Sequence, residues 1–146
     1  MTEPARAAIP SYDGIADGDE LPTLPLPAIT RQTLAVYCGA SGDHNPVHVD
    51  IDFARAAGLD DVIAHGMLVM AYAGRGLTQW VPQALIRSFD TRFLAVTRVG
   101  DRLTVRGRVV EKFVDPDGAR CVRVALTVSD QGGQDKTSGI AVIALP

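Results

Sequence analysis

Cysteine is nearly missing from this chain. Cys38 and Cys121 are the only two among 146 residues, far apart and outside any CxxC pair. Neither a disulfide framework nor a zinc site is indicated, and a reducing, cytoplasmic setting is expected. Basic residues are not in excess: 14 Lys and Arg against 17 Asp and Glu leave a net charge of −3. That balance speaks against nucleic acid as a partner, since phosphate binding asks for a basic face. No apolar run approaches the ~20 residues needed to cross a bilayer, so no membrane association is expected. Residues 1–14 carry Arg6 but no continuous apolar stretch, and read as a loose N-terminal arm rather than a signal peptide. Internal repeats and low-complexity segments are lacking, as are Gly-x-Ser-x-Gly, a P-loop and a dinucleotide fingerprint.

What remains is a globular composition, 47% apolar and 21% charged, long enough for one domain (1–146) with a core of its own. Anionic small molecules such as acyl thioesters stay within reach, because a local Arg patch can bind them on an acidic protein.

Along the chain, Leu21, Leu24, Leu26 and Ile29 alternate with Pro22, Pro25 and Pro27, which remove ladder donors and allow at best an edge strand. Thr30 is a candidate N-cap for a short helix carrying Leu34, Tyr37 and Cys38, ended by Gly39, Gly42 and Pro46. Asp50 can cap a second, Ile51 to Ala57, closed by Gly58. From His65 to about Trp80 the pattern is apolar almost all round, which predicts a helix buried on most sides. Gly74 and Gly76 within it imply close approach of another backbone, offsetting roughly 1 kcal/mol of lost propensity each. The period then changes. Leu103–Val109 and Val122–Val128 alternate with polar residues around an Asp115–Gly118 turn, and Gln131–Gly133 leads to a last strand through Ile140, Val142 and Ala144. Ala84 to Ala95 supplies one more strand. The expected class is α+β, short helices and one long helix followed by antiparallel strands.

Two blocks carry chemistry. Ser41-Gly42-Asp43-His44-Asn45-Pro46-Val47-His48 sets a carboxylate and an imidazole five residues apart on a loop that Pro46 keeps from being helical. Gly-Asp-x-Asn-Pro is ordinary turn vocabulary by itself; the addition of His48 lets two side chains converge on a shared water as acid and base. His48 needs no extreme pKa shift, since imidazole titrates near neutrality. The second block is Ala64-His65-Gly66-Met67. A histidine at a helix start often merely caps or packs. Gly66 is more telling, because a bare backbone N–H at the positive helix end suits an enolate oxygen. His44 and His48 are four apart, but Pro46 spoils the helical face a metal pair needs, so no metal is expected. Met67 and Met70 read as core filler. Met70, Gly74 and Leu77 share a helix face leading away from Gly66 and could line an acyl tunnel, with simple core packing as the alternative.

Tyr37 through Met70 resembles the MaoC-like, or (R)-specific enoyl-thioester hydratase, family of hot-dog proteins. The matching residues are Ser41-Gly42-Asp43-x-Asn45-Pro46-Val47-His48 and Ala64-His65-Gly66-Met67-Leu68, about a quarter of the chain. Gly58-Leu59-Asp60, Ile63 to Met70 and Thr78-x-Trp80-Val81 look most like the catalytic B-type subunit of (3R)-hydroxyacyl-acyl-carrier-protein dehydratases. The resemblance implies a long helix wrapped by an antiparallel sheet, and a homodimer or a heterodimer with another hot-dog subunit. It implies an Asp43–His48 catalytic dyad, with Asn45 shaping the site and Gly66 N–H on the thioester oxygen. Beside these, His65, Met67 and the helix-face residues Met70, Gly74 and Leu77 are candidate substrate-binding positions. His44 fills a variable position and receives no role. The implied reaction is reversible hydration of a trans-2-enoyl thioester of coenzyme A or acyl carrier protein to a (3R)-3-hydroxyacyl thioester, without a cofactor. A hot-dog thioesterase and a partner-dependent subunit of a heteromeric dehydratase are the alternatives.

Overall fold

The computed structural model describes residues 8–146. Five strands form one antiparallel sheet in the order β1-β3-β4-β5-β2. They are β1 (Leu24–Ala28), β2 (Ile86–Phe93), β3 (Arg102–Val114), β4 (Arg120–Ser129) and β5 (Asp135–Ala144). Before β2 come α1 (Arg31–Ser41), a 3-10 turn at Pro46–His48, α2 (Ile51–Ala56) and the long α3 (Gly66–Trp80). The sheet cradles α3, which is the α+β hot-dog arrangement expected from the sequence. Proline-bearing β1 lies on an edge, where missing donors do no harm.

Alternation decides which strand residues meet α3. Leu103, Val105 and Val109 on β3, with Val122, Val124, Leu126 and Val128 on β4, are buried. On β5 the buried apolar residues are Ala141 and Ile143, one residue out of phase with the Ile140, Val142 and Ala144 expected from the sequence; Ile140 is exposed. The helix answers with Val69, Ala73, Gly76 and Leu77, spaced i, i+4, i+7, i+8. A Cβ on Gly76 would stand 2.8 Å from Val105 Cγ1, so the absent side chain lets the helix settle on a strand side chain. The expectation that α3 is buried on most sides needs correction. Met67 is 54% exposed, and Ala71, Arg75 and Thr78 are exposed too, because the sheet covers one side of the helix only.

Thr30 caps α1 as expected, its hydroxyl accepting from Thr33 N–H, but the helix runs through Gly39 to Ser41. It stops at Gly42, whose φ of +74° is left-handed and whose N–H bonds the Cys38 carbonyl. Asp50 caps α2 through the Asp52 and Phe53 amides. Of the arm expected over 1–14, residues 1–7 lie outside the described residues. From residue 8 the chain follows the sheet, with Tyr12 N–H donating to the Pro146 carbonyl at 2.8 Å and Lys112 Nζ 4.3 Å above the Tyr12 ring.

One buried cation fixes the segment after β2. Lys136 is 3% exposed; its ammonium lies 3.0 Å from Asp130 and 3.4 Å from Asp101, and donates to the Val96 carbonyl at 3.0 Å. That ion pair and its hydrogen bonds hold Asp130 below the usual carboxylate range. The neighbouring Thr97 carbonyl accepts Ala64 N–H at 2.9 Å, which ties the chain just ahead of α3 to the sheet.

Candidate active site

The loop leaving α1 is built from short-range hydrogen bonds. Asp43 N–H donates to Ser41 Oγ (3.2 Å), Asn45 N–H to Asp43 Oδ1 (3.3 Å), and Val47 N–H to Asn45 Oδ1 (3.1 Å). Pro46 begins the 3-10 turn that carries His48, with His48 N–H on the Asn45 carbonyl. Asn45 thus shapes the loop by capping it. One oxygen of Asp43 is spent on Asn45, and the other, Oδ2, faces His48 Nε2 across 3.9 Å.

That gap is chemically meaningful because the tautomer of His48 is fixed. Its Nδ1 lies 2.7 Å from the Ile63 carbonyl, which can only accept, so Nδ1 carries the proton in the neutral ring. The Nε2 lone pair is left facing Asp43. The separation exceeds a direct hydrogen bond, yet a water ~2.8 Å from both atoms fits it. The His48 side chain is 10% exposed and that of Asp43 49%, so the pair is reached from the Asp43 side.

His65, expected at a substrate-binding position, is placed by the structure wholly buried beneath the dyad. It stacks on His48 at 3.8 Å between centroids and 25° between planes, while Tyr37 meets it edge-on at 4.8 Å. Its Nε2 lies 3.2 Å from the Asp43 carbonyl, so Nε2–H donates there and Nδ1, with no partner, is enclosed. Burial depresses its pKa below the usual imidazole value, and the nearby His48 adds to this against a smaller opposing pull from Asp43. The ring is neutral at pH 7.

Ligand atoms of Asp43, His48 and His65 all fall within 4.8 Å of one another. The two stacked rings hold their in-plane lone pairs in planes only 25° apart, whereas a shared ion ~2.1 Å from each nitrogen needs the lone pairs to converge on one point. His48 Nδ1 is committed to Ile63 besides. The geometry suits proton transfer better than chelation.

Gly66 opens α3, and its N–H has no intrahelical acceptor. His65 occupies the N-cap without a side-chain capping bond, leaving the positive helix end uncompensated there. The missing side chain faces Phe93: a Cβ would lie 3.2 Å from its ring. A cavity of about 330 Å³ is lined by Gly66, Val69, Phe93, Val96, Thr97 and Lys136 among others. Ile63, which holds His48, also lines it; Asp43 and His48 do not.

The helix face suggested for an acyl tunnel divides. Leu77 is fully enclosed in the core, whereas Met70 and Gly74 are half-buried; a Cβ on Gly74 would stand 3.6 Å from Phe89, an ordinary contact. Met67 points into solvent. Sequence reading passed over the Ile63 carbonyl, Phe93 and the Tyr37 ring. Tyr37 and Ile63 lie within the conspicuous stretch from Tyr37 to Met70 and Phe93 outside it, and nothing in the local pattern marks the Ile63 carbonyl or Phe93.

Comparison with known proteins agrees with this geometry. Residues 18–131 match the family described as MaoC like domain. The (R)-specific enoyl-CoA hydratase of Rhodospirillum rubrum is 33% identical over 90 residues, covering 58% of this chain and 62% of that protein. A fatty acid synthase subunit beta of Gibberella zeae is 38% identical over 133 residues, 75% of this chain but 6% of that one. The chain therefore spans only part of these relatives. Among solved structures, an unliganded R-hydratase of Pseudomonas aeruginosa superposes with a TM-score of 0.80 at 30% identity, covering 93% of this chain and 85% of that one. With the motif loop, the helix start and strands β1 to β4 all inside the matched span, this chain belongs to the MaoC like domain family.

Proposed function

We propose that the chain catalyses reversible hydration of trans-2-enoyl thioesters to (3R)-3-hydroxyacyl thioesters. The observation that carries this is the water-sized gap between Asp43 Oδ2 and a His48 Nε2 whose lone pair is aimed by Ile63. Water in the gap donates one hydrogen to Asp43 and loses the other to Nε2. Its oxygen adds at C3, and the π electrons move to the thioester oxygen, where the Gly66 N–H stabilises the developing charge. The imidazolium returns its proton at C2, so one water is added and both groups regain their starting states. No redox or nucleotide step is needed. The relatives named as an enoyl-CoA hydratase and an R-hydratase support the substrate class and the R configuration.

The proposed assembly is a dimer, either of two copies or with another hot-dog subunit. Phe93, Leu94 and Val96 are 51%, 50% and 44% exposed at the end of edge strand β2, which motivates a covering partner. Among the described residues no helix is long and apolar enough to cross a membrane.

Crotonyl-CoA incubated with the isolated chain tests the reaction. Loss of enoyl absorbance, formation of (3R)-3-hydroxybutyryl-CoA and no free thiol are expected. Thiol release without hydration would mark a thioesterase instead, and activity appearing only after addition of a sister subunit would mark a partner-dependent chain.

A further inference from the structure

His65 is an odd choice for a wholly buried position. A buried ring nitrogen without a partner costs free energy that an apolar ring of the same shape would not. Nδ1 of His65 is such an atom. What the position gains in return is specific: the other nitrogen donates to the Asp43 carbonyl, one ring face lies on His48, and the next residue is Gly66. Tyr37, from α1, meets the ring edge-on and completes the clamp. Three parts of the proposed site, arriving from a loop, a 3-10 turn and a helix start, have this one side chain in common.

We propose that His65 is a positioning residue: through its Nε2–H on the Asp43 carbonyl and its stack on His48, it holds both dyad groups in register with the amide that follows it. It touches no substrate. The inference rests on the hydratase reading for its kinetic consequence and on the geometry alone for its structural one. It also separates the two halves of the side chain. Phenylalanine keeps the stacking face and removes the donor, along with the unpaired nitrogen. Glutamine keeps a donor at similar reach and removes the face. Asparagine falls short of both.

The full chain carrying H65F, H65Q or H65N is compared with the parent in crotonyl-CoA hydration, thermal melting and amide hydrogen exchange. H65F is expected to melt near the parent, yet lose about tenfold or more in kcat with KM changed less than about threefold. Exchange at the His48 and Val49 amides, which close the 3-10 turn on Asn45 and Pro46, should quicken. H65Q should recover part of the kcat lost in H65F. If H65F does not fold, the decisive pair is H65Q against H65N, with glutamine expected to turn over faster because only it reaches Asp43. Parental kcat in H65F, or equal kcat in H65Q and H65N, overturns the proposal. A parent that leaves crotonyl-CoA unchanged fails the hydratase reading instead; the exchange comparison then decides alone, and unchanged protection at His48 and Val49 overturns the clamp.

Discussion

Two acid–base groupings in this molecule look alike on paper and differ in kind. Around Lys136 the charges have closed on one another. The ammonium is 3.0 Å from Asp130 and 3.4 Å from Asp101, its side chain is 3% exposed, and Val96 and Gln134 take further hydrogen bonds. At Asp43 and His48 each partner is held back by a third group: Asn45 N–H takes one carboxylate oxygen and the Ile63 carbonyl takes Nδ1. The remaining atoms face each other at 3.9 Å without closing. A satisfied pair has nothing left to offer a substrate, while a pair kept apart by its own supports retains a lone pair, a carboxylate oxygen and room for water. The difference predicts where substitutions are felt, in turnover at the open pair and in folding at the closed one.

The largest effect should come from emptying the open pair. D43N and H48A are each expected to lower kcat by about 10²–10⁴-fold, the usual worth of a positioned acid or base, while circular dichroism and melting stay near the parent. Near-parental turnover in both purified variants would remove the dyad from the mechanism. At the closed pair the sign reverses. K136M leaves two carboxylates facing an apolar stem, and Tm should fall by more than about 5 °C. Turnover per folded molecule at low temperature should fall far less than in D43N. A melting curve unchanged by K136M would mean that the network around β5 contributes little to folding.

This division was only partly legible in the sequence. The motif loop was readable because its residues have local reasons to be there: Gly42 for a left-handed cap, Asn45 and Pro46 for the turn, Asp50 for the next helix. The Ile63 carbonyl that aims His48 was not, since any residue supplies a carbonyl and only the fold decides which one arrives. Phe93 reaches Gly66 from the end of an edge strand, a long-range contact without a sequence signature. Apolar residues all round α3 announced burial; the structure shows that they serve two surfaces, one against the sheet and one around Met67 left open in the single chain. His65 could be noticed beside Gly66, but its depth depends on Tyr37 and His48 closing over it.

A finer contrast lies between two glycines of α3. G76A drives a methyl to 2.8 Å from Val105 Cγ1 in the packed core, and overpacking of this sort costs about 1–3 kcal/mol. Chemical denaturation should register that loss while kcat of the folded fraction is kept. G66A meets the half-exposed Phe93 ring at 3.2 Å, and a ring at the surface can give way. Its stability should hardly change. Its kcat should drop about tenfold to a hundredfold as methyl and ring crowd the amide offered to the thioester oxygen. The comparison would collapse if G66A behaved as G76A does, losing stability but not rate.

The smallest effect is read at the buried histidine by pH. Burial lowers the pKa of His65 in the folded chain below its ordinary value of 6.5. On acidification the unfolded chain therefore takes up this proton first, and linkage requires stability to fall as pH drops from about 6.5 toward the lowered folded value. Well above 6.5 the ring is neutral in both states and contributes no slope. In H65F the titrating group is gone, so its stability should decline less steeply than the parent's between about pH 7 and pH 5. Urea unfolding at a series of pH values measures the two slopes directly, and parallel lines would mean that His65 is protonated as readily inside the fold as outside it. Because Asp43 is the one negative group opposing the shift, D43N should steepen the parental slope rather than flatten it, a change of sign that a purely structural histidine remote from the dyad would not produce.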